Sequence, residues 1–181
     1  MRHFTCSPDV KLLGYYVNAF VDNAQGDEMR PIMAKFGLVD LDPTGIYPAL
    51  KWQEAMNEVA RNPNLTSNFV AIGMKIGEII PVPEEIGEPT FEKMMVEWGH
   101  AYDVAHPGGG AGAIIAEKID DKHWRTIHTD LYPDDFMYGI QYTLGKRFLP
   151  KGTRMKVFYD DTITPRDNGG TGDTVIHTKW E

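Results

Sequence analysis

The sequence predicts a single α+β domain, and three observations lead to this prediction. The chain has 181 residues, enough for one domain with a hydrophobic core but few for two. Apolar residues follow helical spacing through most of residues 1–106, whereas residues 111–181 contain short strand-like runs around one helix. The order of the second half is β-β-α-β-β. Because its connections are short, the strands are expected to pair antiparallel, with helices packed on one face.

The N-terminal helical part begins with Ser7-Pro8-Asp9, in which a capping residue precedes a proline suited to the first helical position. Helices are predicted over residues 8–21, 28–36, 48–62, 68–80 and 91–104, with a loop at 43–47. The fourth helix contains Gly73 and Gly77, and a glycine inside a helix costs about 1 kcal/mol relative to alanine. This pair predicts the close approach of another helix, and a ligand lying against the bare backbone is the alternative.

The C-terminal sheet part follows a glycine-rich turn at 108–112. Residues 112–119 and 123–129 are predicted to form a hairpin, and residues 155–159 and 174–180 two more strands. Between them, Pro133 starts a helix that ends at Phe148. Asp134 and Asp135 lie in its first turn, where the helix dipole favours negative charge. The junction at Tyr132-Pro133 is therefore a strand-to-helix corner.

Composition and charge exclude several classes of protein. Hydrophobic residues make up 42 % and charged residues 24 % of the chain, as is usual for globular proteins. The net charge of −8 argues against binding to nucleic acid or to an anionic membrane surface. A single cysteine, Cys6, allows no internal disulfide. No apolar run reaches the roughly 20 residues of a membrane span, and the N-terminus lacks the apolar core of a signal peptide. The expected location is the cytoplasm.

The C-terminal half resembles a family of bacterial sensor domains. The residues that carry the resemblance are Tyr132-Pro133, Gly139, Arg147-Phe148-Leu149-Pro150, Pro165-Arg166, Gly169-Gly170 and Trp180. In this pattern the chain is similar to the 4-vinyl-reductase-type domain and the haem-nitric-oxide-binding domain. The resemblance covers about the last eighty residues, and the helices of the first half follow it in order.

The resemblance implies a non-enzymatic sensor-type domain with a pocket between the helical layer and the sheet. A small, largely apolar ligand fits the supply of aromatic and methionine side chains near the Tyr132 junction. The predicted lining residues are His100, Trp98, Tyr132, Tyr138, Met95 and Met137. A filled core without a cavity is the alternative. Vesicle-tethering relatives share the fold, so a homodimeric interaction module is a further alternative.

Haem is not expected from the sequence. The haem-binding branch of the family holds the propionates with a Tyr-x-Ser-x-Arg signature, and this chain has none. Its axial ligand is a histidine on the helix before the sheet, where this chain has His100. Relatives also place cysteines where this chain has Asp134-Asp135 and Thr174-Val175. The resemblance therefore supports a pocket more than it supports this cofactor.

A metal-assisted enzyme is the competing hypothesis. His128 and His177 lie on predicted strands, and together with Asp134, or with Asp130, they could supply the three ligands of a catalytic zinc site. In a strand, however, neighbouring side chains alternate between the two faces. If Ile127 and Ile176 point into the core, both histidines point away from it.

Overall fold

In the computed structural model, which describes residues 1–23 and 26–181, a layer of helices precedes a four-stranded antiparallel sheet. The helical layer contains β1 (Lys11–Leu13), α1 (Gly14–Asn23), α2 (Gly26–Lys35), β2 (Ile46–Pro48), α3 (Ala49–Val59), α4 (Pro63–Thr66), α5 (Phe69–Ile79) and α6 (Phe91–Ala105). The sheet part contains β3 (Ile114–Asp120), β4 (His123–His128), α7 (Asp134–Phe148), β5 (Met155–Tyr159) and β6 (Thr174–Trp180). The predicted α+β domain with a β-β-α-β-β ending is confirmed.

The sheet has the strand order β3-β4-β6-β5, so the two strands that follow α7 lie beside the hairpin that precedes it. Thr126 of β4 is paired with Ile176 of β6, and both side chains are fully buried on the face towards α7. The residues next to them in sequence, Arg125 and His177, are also paired and lie on the opposite face. This register decides which polar residues reach the interior.

Close packing of α5 against α7 explains Gly73 and Gly77 of α5 and Gly139 of α7. A Cβ atom built on Gly73 would lie 2.0 Å from the carbonyl oxygen of Phe136, and one on Gly77 would lie 2.7 Å from Cβ of Thr143. From the other side, a Cβ atom on Gly139 would lie 2.2 Å from the carbonyl oxygen of Val70. The close approach of a helix, as predicted from Gly73 and Gly77, is therefore what the structure shows.

The N-terminal elements correct the prediction. The helix expected from Pro8 begins only at Gly14, because residues 11–13 form a strand that pairs with residues 46–48. Residues 46 and 47 were expected in a loop, and Pro48 was expected to start a helix. The backbone N–H of Gly14 donates to the carbonyl of Gly45, which ends this pairing where α1 begins. The short helix α4 was also not predicted, although Asn62 caps it by accepting from the N–H of Asn64.

The core runs through both parts of the chain. Its large, fully buried side chains include Trp52, Phe20, Phe69 and Phe91. Phe20 of α1 packs edge-on against Trp52 of α3 with 4.7 Å between ring centroids, and it also contacts Phe136 of α7 at 5.6 Å. Among the described helices, none is long and apolar enough to cross a membrane.

Candidate functional site

An apolar cavity of about 70 Å³ lies between α1, α5, α6 and α7. Its wall consists mostly of hydrocarbon and aromatic surface, and its residues with polar side-chain atoms are three tyrosines, one tryptophan and one histidine. The lining residues are Tyr16, Phe20, Ile76, Ile80, Trp98, Ala101, Tyr102, Ala105, His106, Tyr132, Phe136, Met137 and Ile140. Pockets for small molecules are typically about 300–1,000 Å³. A ligand larger than a few atoms therefore has to move these walls apart.

His106 is the residue of the cavity wall that can bind a metal or accept a hydrogen bond through a ring nitrogen. It follows directly after α6 and is only 2 % exposed. Its Nδ1 lies 2.7 Å from the carbonyl oxygen of Tyr102, one turn earlier. Because a carbonyl oxygen only accepts, Nδ1 carries the proton and Nε2 has the lone pair. Burial lowers the pKa of His106 below its ordinary value, so the ring is neutral at neutral pH. A neutral imidazole held in this tautomer is suited to bind a metal or to accept a hydrogen bond.

Tyr132 faces His106 across the end of the cavity. Its hydroxyl lies 3.1 Å from Nε2 of His106 and donates to the lone pair there. Burial raises the pKa of Tyr132 above its ordinary value, so the hydroxyl keeps its proton. The backbone N–H of Tyr132 donates to Oδ1 of Asp130 at 2.8 Å, and its carbonyl accepts from Nη2 of Arg2 at 2.5 Å. Contacts on both sides of the residue thus fix its position.

Tyr102 ties α6 to the chain on either side of β3 and β4. Its hydroxyl donates to the carbonyl of Ala111 at 2.7 Å and accepts from the backbone N–H of Leu131 at 3.1 Å. Ala111 lies in the glycine-rich turn, and Leu131 lies in the segment that leads to α7. These hydrogen bonds therefore connect α6, at the wall of the cavity, to both ends of the β3–β4 hairpin.

A buried ionic network lies behind the segment that carries Tyr132. His128 and Asp130 are both buried, with 2.8 Å between Nδ1 and Oδ2. Burial alone would raise the pKa of Asp130. The hydrogen bond and charge of His128, the charge of Arg166 and the N–H of Tyr132 outweigh that effect, and the pKa lies below its ordinary value. Nη1 of Arg166 also donates to the carbonyl of Asp130 at 2.9 Å.

The comparison with solved structures supports the fold described above. No family model matches the chain, and no curated protein matches it. An oxygen-binding H-NOX domain related to soluble guanylate cyclases, solved as its oxygen complex, matches with 12 % identity and a TM-score of 0.62, over 93 % of this chain and 92 % of that one. A mutant H-NOX protein of K. algicida in the Fe(II) unliganded form matches with 11 % identity and a TM-score of 0.62, over 94 % of this chain and 97 % of that one. A mutant H-NOX of T. tengcongensis matches with 13 % identity and a TM-score of 0.57, over 93 % and 94 %.

The chain has the H-NOX fold. The predicted α+β architecture agrees with this finding. The comparison is with the haem branch of the family named from the sequence, and the 4-vinyl-reductase-type resemblance stays a prediction. At 11–14 % identity the likeness concerns the fold, so the ligand has to be argued from the residues of this chain.

The prediction that haem is not expected is contradicted by these neighbours. Further structures with the H-NOX fold concern the redox potential of haem in a distorted porphyrin and the function of haem distortion. The histidine that lies in the cavity is also a different one from the histidine that the sequence suggested. His100 is exposed on α6, whereas His106 lies in the cavity.

Three of the predicted lining residues are in the cavity wall, namely Trp98, Tyr132 and Met137. The other three lie elsewhere. His100 follows Trp98 by two residues, which is about 200° around the helix, and so it points to solvent. Met95 is fully buried but does not line the cavity, and Tyr138 donates to the carbonyl of Val157 at 2.7 Å. His106 was missed as a lining residue, although it follows Trp98 and Tyr102 at intervals of four residues, which places the three on one helix face.

The predicted metal site is not formed. His128 lies on the helix-facing side of the sheet, His177 lies on the opposite side, and Asp134 contacts Arg166 and Thr174. The expectation that both histidines point away from the core is right for His177 and wrong for His128, which is fully buried while Ile127 faces outward. Within residues 1–23 and 26–181, no group of three histidine, cysteine or acidic side chains is placed to hold a metal.

The outer face of the sheet carries a separate row of polar contacts. Nε2 of His123 lies 2.8 Å from Nδ1 of His177, and Nε2 of His177 lies 3.1 Å from Oδ2 of Asp160. The ring of Phe158 stacks on His177 with 5.1 Å between centroids. On this face, away from the cavity, both ring nitrogens of His177 and Nε2 of His123 are therefore engaged.

Proposed function

We propose that this chain is a non-enzymatic, sensor-type domain that binds a small, largely apolar ligand in the cavity between α1, α5, α6 and α7. The observation that supports the proposal is the combination of an apolar wall with one neutral, oriented histidine. Apolar surface supplies affinity, and a few placed polar groups fix the orientation of the ligand, as is general for small-molecule sites. Methionine and isoleucine side chains in the wall, such as Met137, Ile76 and Ile80, can repack around a guest.

Haem is the second candidate, favoured by His106. The lone pair of Nε2 is free of a proton, and the Nδ1–H bond to the Tyr102 carbonyl is the kind of contact that orients a metal-bound histidine. The apolar wall suits a macrocycle. The space of about 70 Å³ does not suffice for one, so helices α5, α6 and α7 have to separate for a porphyrin to enter. When bound, haem would supply an iron centre for a diatomic gas, and this chain would supply the nitrogen ligand and exclude water.

The experiment that tests the proposal combines native mass spectrometry with a visible spectrum of the purified protein, before and after addition of haemin. The matched variants are His106→Ala and His100→Ala, which remove a cavity histidine and an exposed histidine of the same segment. A co-purifying organic mass without a Soret band supports the apolar ligand. A Soret band that is lost in His106→Ala and retained in His100→Ala supports haem at this site.

Two results would contradict the proposal. If the protein shows no bound mass and its spectrum with haemin is the same for both variants and wild type, the cavity does not bind haem through His106. If, in addition, small apolar probes such as benzene produce no chemical-shift changes in the cavity residues, the proposed ligand-binding function is wrong.

A homodimer stays a prediction that the same samples can test. The exposed side chains of Val96 and Val104 on α6, 64 % and 57 % exposed, supply apolar surface for a second copy. Sedimentation at several concentrations distinguishes a monomer from a dimer. Cytoplasmic location likewise stays a prediction.

A further inference from the structure

The hydroxyl of Tyr132 engages the lone pair of His106 that a ligand in the cavity would have to reach. Nδ1 of the imidazole is engaged by the carbonyl of Tyr102, and Nε2 receives the hydroxyl of Tyr132 at 3.1 Å. Both ring nitrogens are therefore satisfied within the protein. A guest that needs Nε2 has to displace the hydroxyl, whereas a guest that needs only apolar contact does not.

The hydroxyl is held in place from behind. The backbone of Tyr132 is bonded on both sides, by Arg2 at its carbonyl and by Asp130 at its N–H. Its ring packs against Trp52 and Phe136, with 5.7 Å and 5.4 Å between centroids. Since these contacts fix the backbone and the plane of the ring, the hydroxyl cannot leave Nε2 without a change in this packing.

Asp130 and Arg166 extend this support. Asp130 is itself bonded to His128 and lies under the Arg166 guanidinium, which donates to the Asp130 carbonyl. The segment from Asp130 to Pro133 is thus anchored in a buried network, and the Tyr132 side chain extends from this anchor into the cavity. A flexible tyrosine would compete weakly for Nε2, but an anchored one competes strongly because little side-chain entropy is left to lose.

We propose that Tyr132 is the specificity-determining residue of the cavity, because its hydroxyl competes with the ligand for Nε2 of His106. The ligand that can displace the Tyr132 hydroxyl is a largely apolar molecule with one centre that accepts the electron pair of Nε2. This centre is either a metal or an O–H or N–H donor. Molecules without such a centre bind beside the tyrosine and leave the His106–Tyr132 bond intact. This inference rests on the proposed ligand-binding function.

The test compares wild type with Tyr132→Phe, which removes the hydroxyl and keeps the ring. The matched control is Tyr138→Phe. This substitution also removes a tyrosine hydroxyl that donates a hydrogen bond, here to the carbonyl of Val157, but Tyr138 lies outside the cavity wall. Phenol and benzene serve as a probe pair that differs by one O–H donor, and haemin serves as the metal-centre probe. Binding of the small probes is followed by chemical-shift titration, and that of haemin by its visible spectrum.

In wild type and Tyr138→Phe, phenol and benzene are expected to bind with similar affinity. In Tyr132→Phe, phenol is expected to bind about 3- to 10-fold more tightly than benzene, the value of one net hydrogen bond. Haemin is expected to bind more tightly to Tyr132→Phe than to either other protein. If Tyr132→Phe increases the affinity for phenol only, a hydrogen-bond donor is the preferred centre. If it increases the affinity for haemin only, a metal is the preferred centre.

A readout without any ligand completes the test. The hydrogen bond from Tyr132 stabilises the neutral imidazole, so its removal should raise the pKa of His106 in an NMR titration, with no change in Tyr138→Phe. Suppose that the probes bind, but Tyr132→Phe changes neither their affinities nor the titration of His106. The inference about Tyr132 is then wrong, and the proposed ligand-binding function still stands. Absence of binding of every probe to every variant contradicts the proposed function as well.

Discussion

Arg166 and Asp134 form a buried two-point contact that joins the start of α7 to the loop before β6. Nη2 of Arg166 lies 2.7 Å from Oδ1 of Asp134, and Nε lies 3.1 Å from the same oxygen. The other oxygen of Asp134 accepts from the backbone N–H of Asp167 and from the hydroxyl of Thr174, each at 2.8 Å. The carboxylate that the sequence offered as a zinc ligand is therefore fully engaged in holding the fold.

Asp134→Asn is expected to destabilise the protein by roughly 3 kcal/mol, because it leaves the buried Arg166 guanidinium without its main counter-charge. Urea unfolding followed by circular dichroism measures the change. Asp161→Asn is the control, since Asp161 is exposed and its replacement should stay within about 0.5 kcal/mol. Equal stability of the two variants would mean that the Asp134–Arg166 contact contributes no stability.

Asp167 predicts a pH dependence of stability. Burial, followed by the charge of Asp134, raises the pKa of Asp167 to about 6, whereas a carboxyl in the unfolded chain titrates near its ordinary value of about 4. The folded state therefore binds the proton of Asp167 more tightly than the unfolded state does. The stabilisation that comes from this protonation is complete below about pH 4 and is lost as the pH rises to about 6.

Asp167→Asn removes that contribution without changing the shape of the side chain. The free energy of unfolding of the variant, relative to wild type, should increase by at most about 3 kcal/mol between pH 4 and pH 7. Urea unfolding at several pH values gives this difference. A difference that stays constant with pH would show that Asp167 titrates normally in the folded protein.

Gly73→Ala tests the packing of α5 against α7. A Cβ atom at this position would lie 2.0 Å from the carbonyl oxygen of Phe136, so the helices have to move apart. We expect a loss of about 1–3 kcal/mol in the free energy of unfolding, as for other overpacked sites. Gly172→Ala is the matched control, because nothing lies within 4 Å of a Cβ atom there. If Gly73→Ala is as stable as this control, the close approach of the helices is not required.

Gln141→Leu tests the polar layer between α7 and the sheet. The side-chain oxygen of Gln141 accepts from the Thr126 hydroxyl at 2.5 Å, and its nitrogen donates to the Thr178 hydroxyl at 2.9 Å. All three residues are fully buried, so leucine would take the amide partner away from both hydroxyls, at a cost of about 1–3 kcal/mol. The Thr126 hydroxyl keeps its contacts with Ile176 and His128, so most of the loss is expected at Thr178. Adding Thr178→Val should recover part of the loss in a thermal or urea unfolding experiment. Additive losses in the double variant would indicate that the two side chains are not coupled.

The elements of this protein could be predicted from local patterns. Helix α7 was expected at residues 133–148 and occupies Asp134–Phe148, because Pro133 and Pro150 bound a run with helical spacing. The strands at 155–159 and 174–180 were placed correctly for the same kind of reason, since glycine, proline and alternation act within a few residues. Strands β1 and β2 were not predicted, because three-residue strands owe their existence to a partner more than thirty residues away.

The sequence by itself determined the fold class, the order of the elements from α5 to β6 and the presence of a helix–helix contact at Gly73 and Gly77. Only the tertiary structure decided that His106, and not His100, enters the cavity, because that choice depends on which face of α6 is covered by α1 and α7. It also decided that His128 points inward in place of Ile127. The Asp130 carboxylate and the Thr126 hydroxyl satisfy the buried imidazole, and such partners are visible only once β4, α7 and β6 are packed together.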